Sequence, residues 1–433
     1  MLGTALLMCV AATALLAQQA SGNPTADSVI KARSAWARAG TALQNHDEVG
    51  ARREIEHAAA SWPVQPAYLW ASAVFAAHAR DTTAALTALE RYAALGLGHD
   101  FFTDSALSAL TTSPVFAAVS IAHRNNRAPI VRSRVFASMR DSAFWPEGMD
   151  YDQRTHQLFV ASVRHRTIAV ISADGATRYL WKRDRSDLGA MLGVRVDTTR
   201  GVLWATTSGI QQMAGFALGD TAISALLRIR ISDGVIEQRW NLPAAPGGHV
   251  LGDLAVGRHG DVFVTDSNEP VLYRLRPGAS VLEGIRSPLF HSLQGMAPTP
   301  DGRVVYVADY SVGLLRVDLA TSTISRIADA PSSTTVGCDG IAWDRGSVVA
   351  VQNGVSPARI MRFQLDASGT RIQRAEVLDR NSSVADEPTI GAVVGREFVY
   401  VANSQWDKHD DKGRRIPLRP LTAPVFLAVP LPR

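Results

Sequence analysis

The chain has 433 residues, 46% of them apolar and 19% charged, the composition of a folded globular protein rather than a disordered one. Its 44 Lys and Arg against 40 Asp and Glu leave a net charge of +4 scattered along the sequence. No Lys/Arg stripe is present to track a phosphate backbone, which excludes a nucleic-acid partner, and the length exceeds a usual single core, so two domains are expected.

The opening stretch "MLGTALLMCVAATALLAQQASG" holds an uncharged apolar run from Leu2 to Ala17. It has the length of a signal-peptide core and falls short of a membrane span. Leu15 and Ala17 suit the residues before a cleavage site, although no Lys or Arg precedes the run, and Met8 makes "LLMC" a poor lipid-attachment signal. Residues 1–22 are read as a signal peptide, and the protein as exported, periplasmic or secreted. Removal of that segment leaves Cys338 as the remaining cysteine, so stability must come from packing without an intrachain disulfide. No later apolar run reaches about 18 residues, and no membrane span is expected.

Residues 27–125 read as helices. "VIKARSAWARAGTALQ", "EVGARREIEHAAASW", "PAYLWASAVFAAHA" and "TTAALTALERYAAL" place apolar residues three to four apart, with "NHD", "PVQP" and "ARD" between them. Ala-rich helix pairs of this length resemble tetratricopeptide repeats, with a plain helical bundle as the other reading. "AHRNNRAPIVRSR" then breaks the helical pattern and marks the domain boundary.

From residue 131 to 433 the period changes to two, with turn signals every 8 to 12 residues. Six alternating runs end in a small polar or acidic residue: Ser162, Thr207, Asp266, Asp309, Asn353 and Asn403, spaced 45, 59, 43, 44 and 50 residues apart. A second strand precedes each, beginning 14 to 16 residues upstream at Glu147, Leu192, Gly252, Gln294, Asp339 and Glu387. Turns such as "RHGD", "PDGR" and "DRGS" join several of these pairs. Six units of about 45 residues predict an all-β six-bladed β-propeller preceded by a smaller all-α helical-repeat domain. "VRSRVFASM" and "PVFLAVPLP" are expected to pair in one blade and close the ring.

In a propeller the first strand of each blade lines the channel, and the second returns antiparallel to it. Glu147, Gln294, Asp339 and Glu387 are therefore expected to converge on one face, with Asp266, Asp309, Asn353 and Asn403 just outside them. Crowded carboxylates need a cation or protons to coexist. Oxygen donors without a His/Cys cluster suit Ca2+, or another divalent cation such as Mg2+. Asp266 and Asp309 are read as aspartates that bond to neighbouring loops, and Asp301 in "TPDG" as a turn residue. Tyr310 and Trp406, with Trp145, flank the hub and are candidates to floor a pocket; Asn353 and Asn403 join Tyr310 and Trp406 as candidate substrate-binding residues. His165, His249, His291 and His409 are candidates for proton transfer, with a solvated loop as the other reading of each. No G-x-S-x-G, H-E-x-x-H, P-loop or Rossmann fingerprint is present.

"PEGMDYD", "LQGMAPTPDGRVVYVADYS" and "GCDGIAWD" resemble the gluconolactonase and regucalcin family, also called senescence-marker-protein-like, over about residues 144–406. The resemblance implies six blades and a divalent cation held by a Glu, an Asn and an Asp, which fall on Glu147, Gln294 and Asp339. Gln294 departs from the family's Asn, and Gly252 stands where family enzymes carry a further pocket Asn. "LGDLAV", "VQNG", "DEPTIG" and "VANSQW" are shared with uncharacterised bacterial proteins grouped with that family, which would add Glu387 and Asn403 as oxygen donors.

Two functions remain open on these grounds. One is a metal-dependent hydrolase of lactones or related esters, with Glu147, Gln294, Asp339 and Glu387 on the ion and Asp339 as the catalytic base. The other is a non-catalytic propeller that binds a small molecule or a protein partner, the helical repeats being a second interaction surface. A quinone-dependent sugar dehydrogenase ranks third, for want of a cofactor cradle.

Overall fold

The computed structural model describes residues 25–101, 104–111, 114, 116–183 and 185–433. The signal peptide expected over 1–22 lies outside the described residues. The chain divides into two compact units: the helices up to Arg127 together with residues 328–334, and the remainder from Ala128 onward.

The first unit carries six α-helices among the described residues: α1 (Ala26–Gln44), α2 (Glu48–Ser61), α3 (Pro66–His78), α4 (Thr82–Ala94), α5 (Ser105–Leu110) and α6 (Phe116–Arg127). Helix α6 continues two residues past the boundary expected at 125. The starts are capped as the sequence demands: Thr25, Asp47, Asp81 and Asp104 accept backbone N–H bonds from Ser28, Gly50, Ala84 and Leu107. Loops Asn45–Asp47 and Ala79–Asp81 share one conformation, with His46 and Arg80 at φ of 58° and 60° before the capping Asp. They lie 81 − 47 = 34 residues apart, the period of tetratricopeptide repeats. Small residues such as Ala32, Ala35, Ala51 and Ala58 are fully buried, which lets the paired helices approach closely.

The second unit is a six-bladed β-propeller of six four-stranded antiparallel sheets. The twenty strands from Pro146–Asp152 to Ile372–Arg380 fill five blades in chain order. The sixth has the order β1-β24-β23-β22, where β1 is Arg134–Ser138, β22 Gly391–Val394, β23 Glu397–Val401 and β24 Val425–Pro430. Val135 faces Leu427 in this register, so the start of the unit closes the blade made by its end. Each blade-to-blade gap is filled by alternating apolar residues, for example Met149, Val160, Ala169, Val399 and Phe426.

Five innermost strands share one irregularity. In β2 (Pro146–Asp152), β6 (Ala190–Asp197), β10 (Leu251–Val256), β14 (Leu293–Pro298) and β18 (Cys338–Asp344) the register slips by one residue near the start. This is a β-bulge, which inserts an extra residue and re-aims the side chains beside it. The two bulged residues are Glu147-Gly148, Leu192-Gly193, Gly252-Asp253, Gln294-Gly295 and Asp339-Gly340. The glycines are sterically required: a Cβ on Gly148 would lie 2.1 Å from Leu192 O, and one on Gly295 2.6 Å from Ile341 N. Each lets its strand press against the next blade around a narrow hub.

Candidate functional site

The first residue of every bulge faces one cavity of about 450 Å3 at the hub, lined by Glu147, Leu192, Gly252, Gln294 and Asp339. The sixth blade adds Glu387 and Thr389, and loops add Val250, Ser292 and Trp406. The residues just after three of the second strands, Ser267, Tyr310 and Asn353, complete it. Its volume is in the range of small-molecule sites.

Most of the expected site residues are brought together here: Glu147, Gln294, Asp339, Glu387, Asn353, Tyr310 and Trp406. Asn403 is not. Its Nδ2 donates to Thr422 Oγ1 at 2.8 Å and its Oδ1 accepts from Val425 N at 2.8 Å, so the amide fastens the loop leading to β24. The physical reason is side-chain alternation. In the third to fifth blades the last residue of the second strand turns toward its loop and the next one turns inward, and Asn403 takes the loop-facing role in the sixth. Asp266 accordingly accepts from Val250 N, Asn268 N and Glu269 N, and Asp309 from His291 N, Ser292 N and Val312 N, while Ser267 and Tyr310 line the cavity. In the sixth blade the inward neighbour is Ser404, whose hydroxyl donates to Glu387 Oε2 at 2.9 Å. In the fifth, the loop-facing role belongs to Gln352, which donates to Val336 O, and Asn353 is the inward residue.

Specific bonds orient the carboxylates. Trp406 Nε1 donates to Glu147 Oε2 at 2.7 Å. Asn353 Nδ2 donates to Asp339 Oδ2 at 2.7 Å and to Pro388 O at 2.8 Å. Asp407 N donates to Glu387 Oε2 at 3.1 Å, and Gln294 Nε2 to Ser292 Oγ at 3.4 Å. No lysine, arginine or histidine lines the cavity among the described residues. His249 bonds Asp266 at 2.5 Å and Pro243 O, and His409 stacks on Trp145 with ring centroids 4.1 Å apart. The proton-transfer candidates His165, His249, His291 and His409 therefore stand away from the cavity lining.

Uncompensated charge raises the carboxyl pKa values. Burial, then the charges of Asp253 and Glu387, push Asp339 up to about 8 against the bond from Asn353. Burial raises Glu387 to about 7, partly offset by its bonds from Asp407 N and Ser404. Glu147 is pushed well above the usual range by burial and by Asp339.

Asp253 is a functional candidate that the sequence reading missed. It replaces the bulge glycine in the third blade, is only 8% exposed, and burial raises it to about 6 with Arg195 acting in the opposite direction. The signal lay in plain view: Gly follows the hub residue at 148, 193, 295 and 340, and an acid follows at 253.

The donor chemistry fits a hard divalent cation. Three carboxylates and two amide side chains offer oxygen alone, and Asn353 Oδ1 is buried without a hydrogen-bond partner. Among the described residues no three acidic, histidine or cysteine side chains are grouped tightly enough to form a ready-made metal centre. An ion would therefore take amide oxygen and water besides the carboxylates.

Residues 145–385 match the family model described as the SMP-30/Gluconolactonase/LRE-like region. Similar solved structures include a gluconolactonase from Xanthomonas campestris, at 17% identity, covering 70% of this chain and 96% of that one, with a TM-score of 0.45. A calcium-binding protein, regucalcin, from Agrobacterium tumefaciens has 14% identity, covers 69% and 96%, and gives a TM-score of 0.47. Virginiamycin B lyase from Staphylococcus aureus has 15% identity, covers 62% and 80%, and gives 0.44. No curated protein matches the chain.

Proposed function

The chain belongs to the SMP-30/gluconolactonase/LRE-like family, and from that membership and its hub we propose that it is a divalent-cation-dependent hydrolase of lactones or related esters. The observation that carries this reading is the convergence of Glu147, Asp339 and Glu387 on one cavity without a basic side chain. Three acids so placed hold protons until a cation displaces them, and the release makes ion binding favourable as pH rises.

Glu147, Gln294, Asp339 and Glu387, with Asn353 Oδ1, would hold the ion. When bound, calcium or magnesium polarises a substrate carbonyl and acidifies an adjacent water. Asp339 is the base: Asn353 Nδ2 fixes Oδ2, leaving Oδ1 to take the proton from the attacking water. The water oxygen bonds to the carbonyl carbon, the ester C–O bond breaks, and the proton passes to the departing alkoxide. A lactone thus opens to a hydroxy acid. Trp406 orients Glu147 through its indole N–H.

Ligand binding without turnover is the second reading, favoured because the innermost strands of the second and third blades present Leu192 and Gly252 at the cavity, where the other blades carry polar side chains. The apolar run Leu2–Ala17 supports export to the periplasm or beyond, and the helical unit offers a surface for a protein partner.

The test is metal analysis of protein purified without chelator, then calcium and magnesium titrations of wild type, Glu147→Ala and Asp339→Ala, with a lactone and ester panel. The expected result is ion binding by wild type, weakened at least about tenfold in each variant, and turnover abolished by chelator. Turnover that persists in Asp339→Ala with the ion bound would remove Asp339 as the base. Absence of both ion and turnover would leave the ligand-binding reading.

A further inference from the structure

The cavity is two-faced. Gln294, Asp339, Asn353 and Glu387, from the fourth to sixth blades, make its acid side, and Leu192, Val250 and the Trp406 ring give the other an apolar surface beside the Glu147 carboxylate and the Ser267 hydroxyl. The apolar side is backed in depth. Leu192 belongs to a buried cluster with Trp145, Val163, Ala190 and Met213, against which Val250 and Trp406 pack.

The wall is also fixed in place. Trp406 meets Trp145 edge-on with ring centroids 4.9 Å apart. Gln405 anchors the segment beside it: Nε2 donates to Ser142 O at 3.1 Å and Phe144 O at 3.0 Å, and Oε1 accepts from Thr422 N. The single polar atom of the Trp406 ring is already committed to Glu147. A hydroxyl laid on Leu192, Val250 or the face of the Trp406 ring would exchange its bonds to water for none. An alkyl or aryl group laid there removes apolar surface from water on both partners.

Resting on the hydrolase reading above, we infer that the substrate is a lactone or ester bearing an apolar substituent. Its carbonyl faces Asp339, and its alkyl chain or aryl ring lies across Leu192, Val250 and Trp406. The position that would otherwise carry a polar group is Gly252, which leaves room for the substituent to enter: a Cβ there would meet Ser267 Oγ at 3.2 Å and no other atom within 4 Å.

The experiment is a series of γ-lactones with one ring and tails from methyl to heptyl, with gluconolactone as the polyhydroxylated comparator, assayed with calcium present. kcat/KM should rise about fourfold per methylene until the wall is covered. In parallel, calorimetry on 2-alkylcyclopentanones, which cannot be hydrolysed, should show affinity climbing with the same tails. Leu192→Ser and Val250→Ser, checked for unchanged melting, should each reduce the gain per methylene. Climbing ketone affinity without any lactone turnover would support the ligand class and sink hydrolysis alone. Preference for gluconolactone, or no tail dependence in either assay, would overturn the inference even if lactones are hydrolysed.

Discussion

Asp339 and Glu387 are pushed up to about 8 and about 7, whereas an unfolded chain ionises such groups near 4. Between those values the folded protein holds protons that the unfolded chain has lost. Their contribution to stability is therefore complete below about pH 4 and disappears as pH rises toward 8, at about 1.4 kcal/mol per pH unit for each proton. Melting curves in chelator from pH 4 to 9 should show a steeper decline for wild type than for Asp339→Asn, which cannot ionise there. Saturating calcium should flatten the wild-type decline, because the ion takes the place of the protons. An equal slope in wild type and variant would show that Asp339 ionises normally. The hub residues were legible in the sequence because six repeats carry Glu147, Gln294, Asp339 and Glu387 to one face. Asn403 stays out of the cavity lining because its amide fastens the following loop, a turn geometry that strand ends of like sequence do not reveal. Asp253 escaped because it stands one residue past the hub position, where four other blades carry glycine.

Among the elements, the bulged inner strands set the spacing of the hub. A Cβ on Gly295 would lie 2.6 Å from Ile341 N and 2.7 Å from Asp339 O, both backbone atoms with no freedom to yield. Gly295→Ala should therefore destabilise the propeller by about 1–3 kcal/mol and displace the strand that carries Asp339. Gly219→Ala, with nothing within 4 Å, is the control. Urea unfolding of both variants gives the stability, and calcium titration reports the displaced carboxylate. A Gly295→Ala protein as stable as the control would mean that the blades are less tightly drawn together than described. Strand number and order could be read from period-two alternation and the 45-residue unit. The bulges could not, because an extra residue at 147–148 breaks the alternation that would have revealed it. The helical pairs were visible through their spacing, and their 34-residue offset emerges only from the matched conformations of His46 and Arg80.

For the whole propeller, closure depends on two short strands from distant parts of the chain. β24 is the partner that joins β1 to β23, through pairs such as Arg134–Ala428 and Tyr400–Leu427. Deleting residues 424–433 would expose both flanking edges, and open edges recruit other chains. The shortened protein should lose its cooperative melting transition and scatter light at concentrations where the full chain is monodisperse; a sharp, monodisperse melt would show that five blades suffice. The same seam has a mechanical side. Because β1 and β24 are antiparallel, the beginning of one lies beside the end of the other, Arg134 opposite Ala428. Tension applied at Ile130 and Arg433 pulls on that shared end and loads one rung of hydrogen bonds at a time. The ring would open like a zipper at low force, while a pull across any intact blade must shear several rungs together.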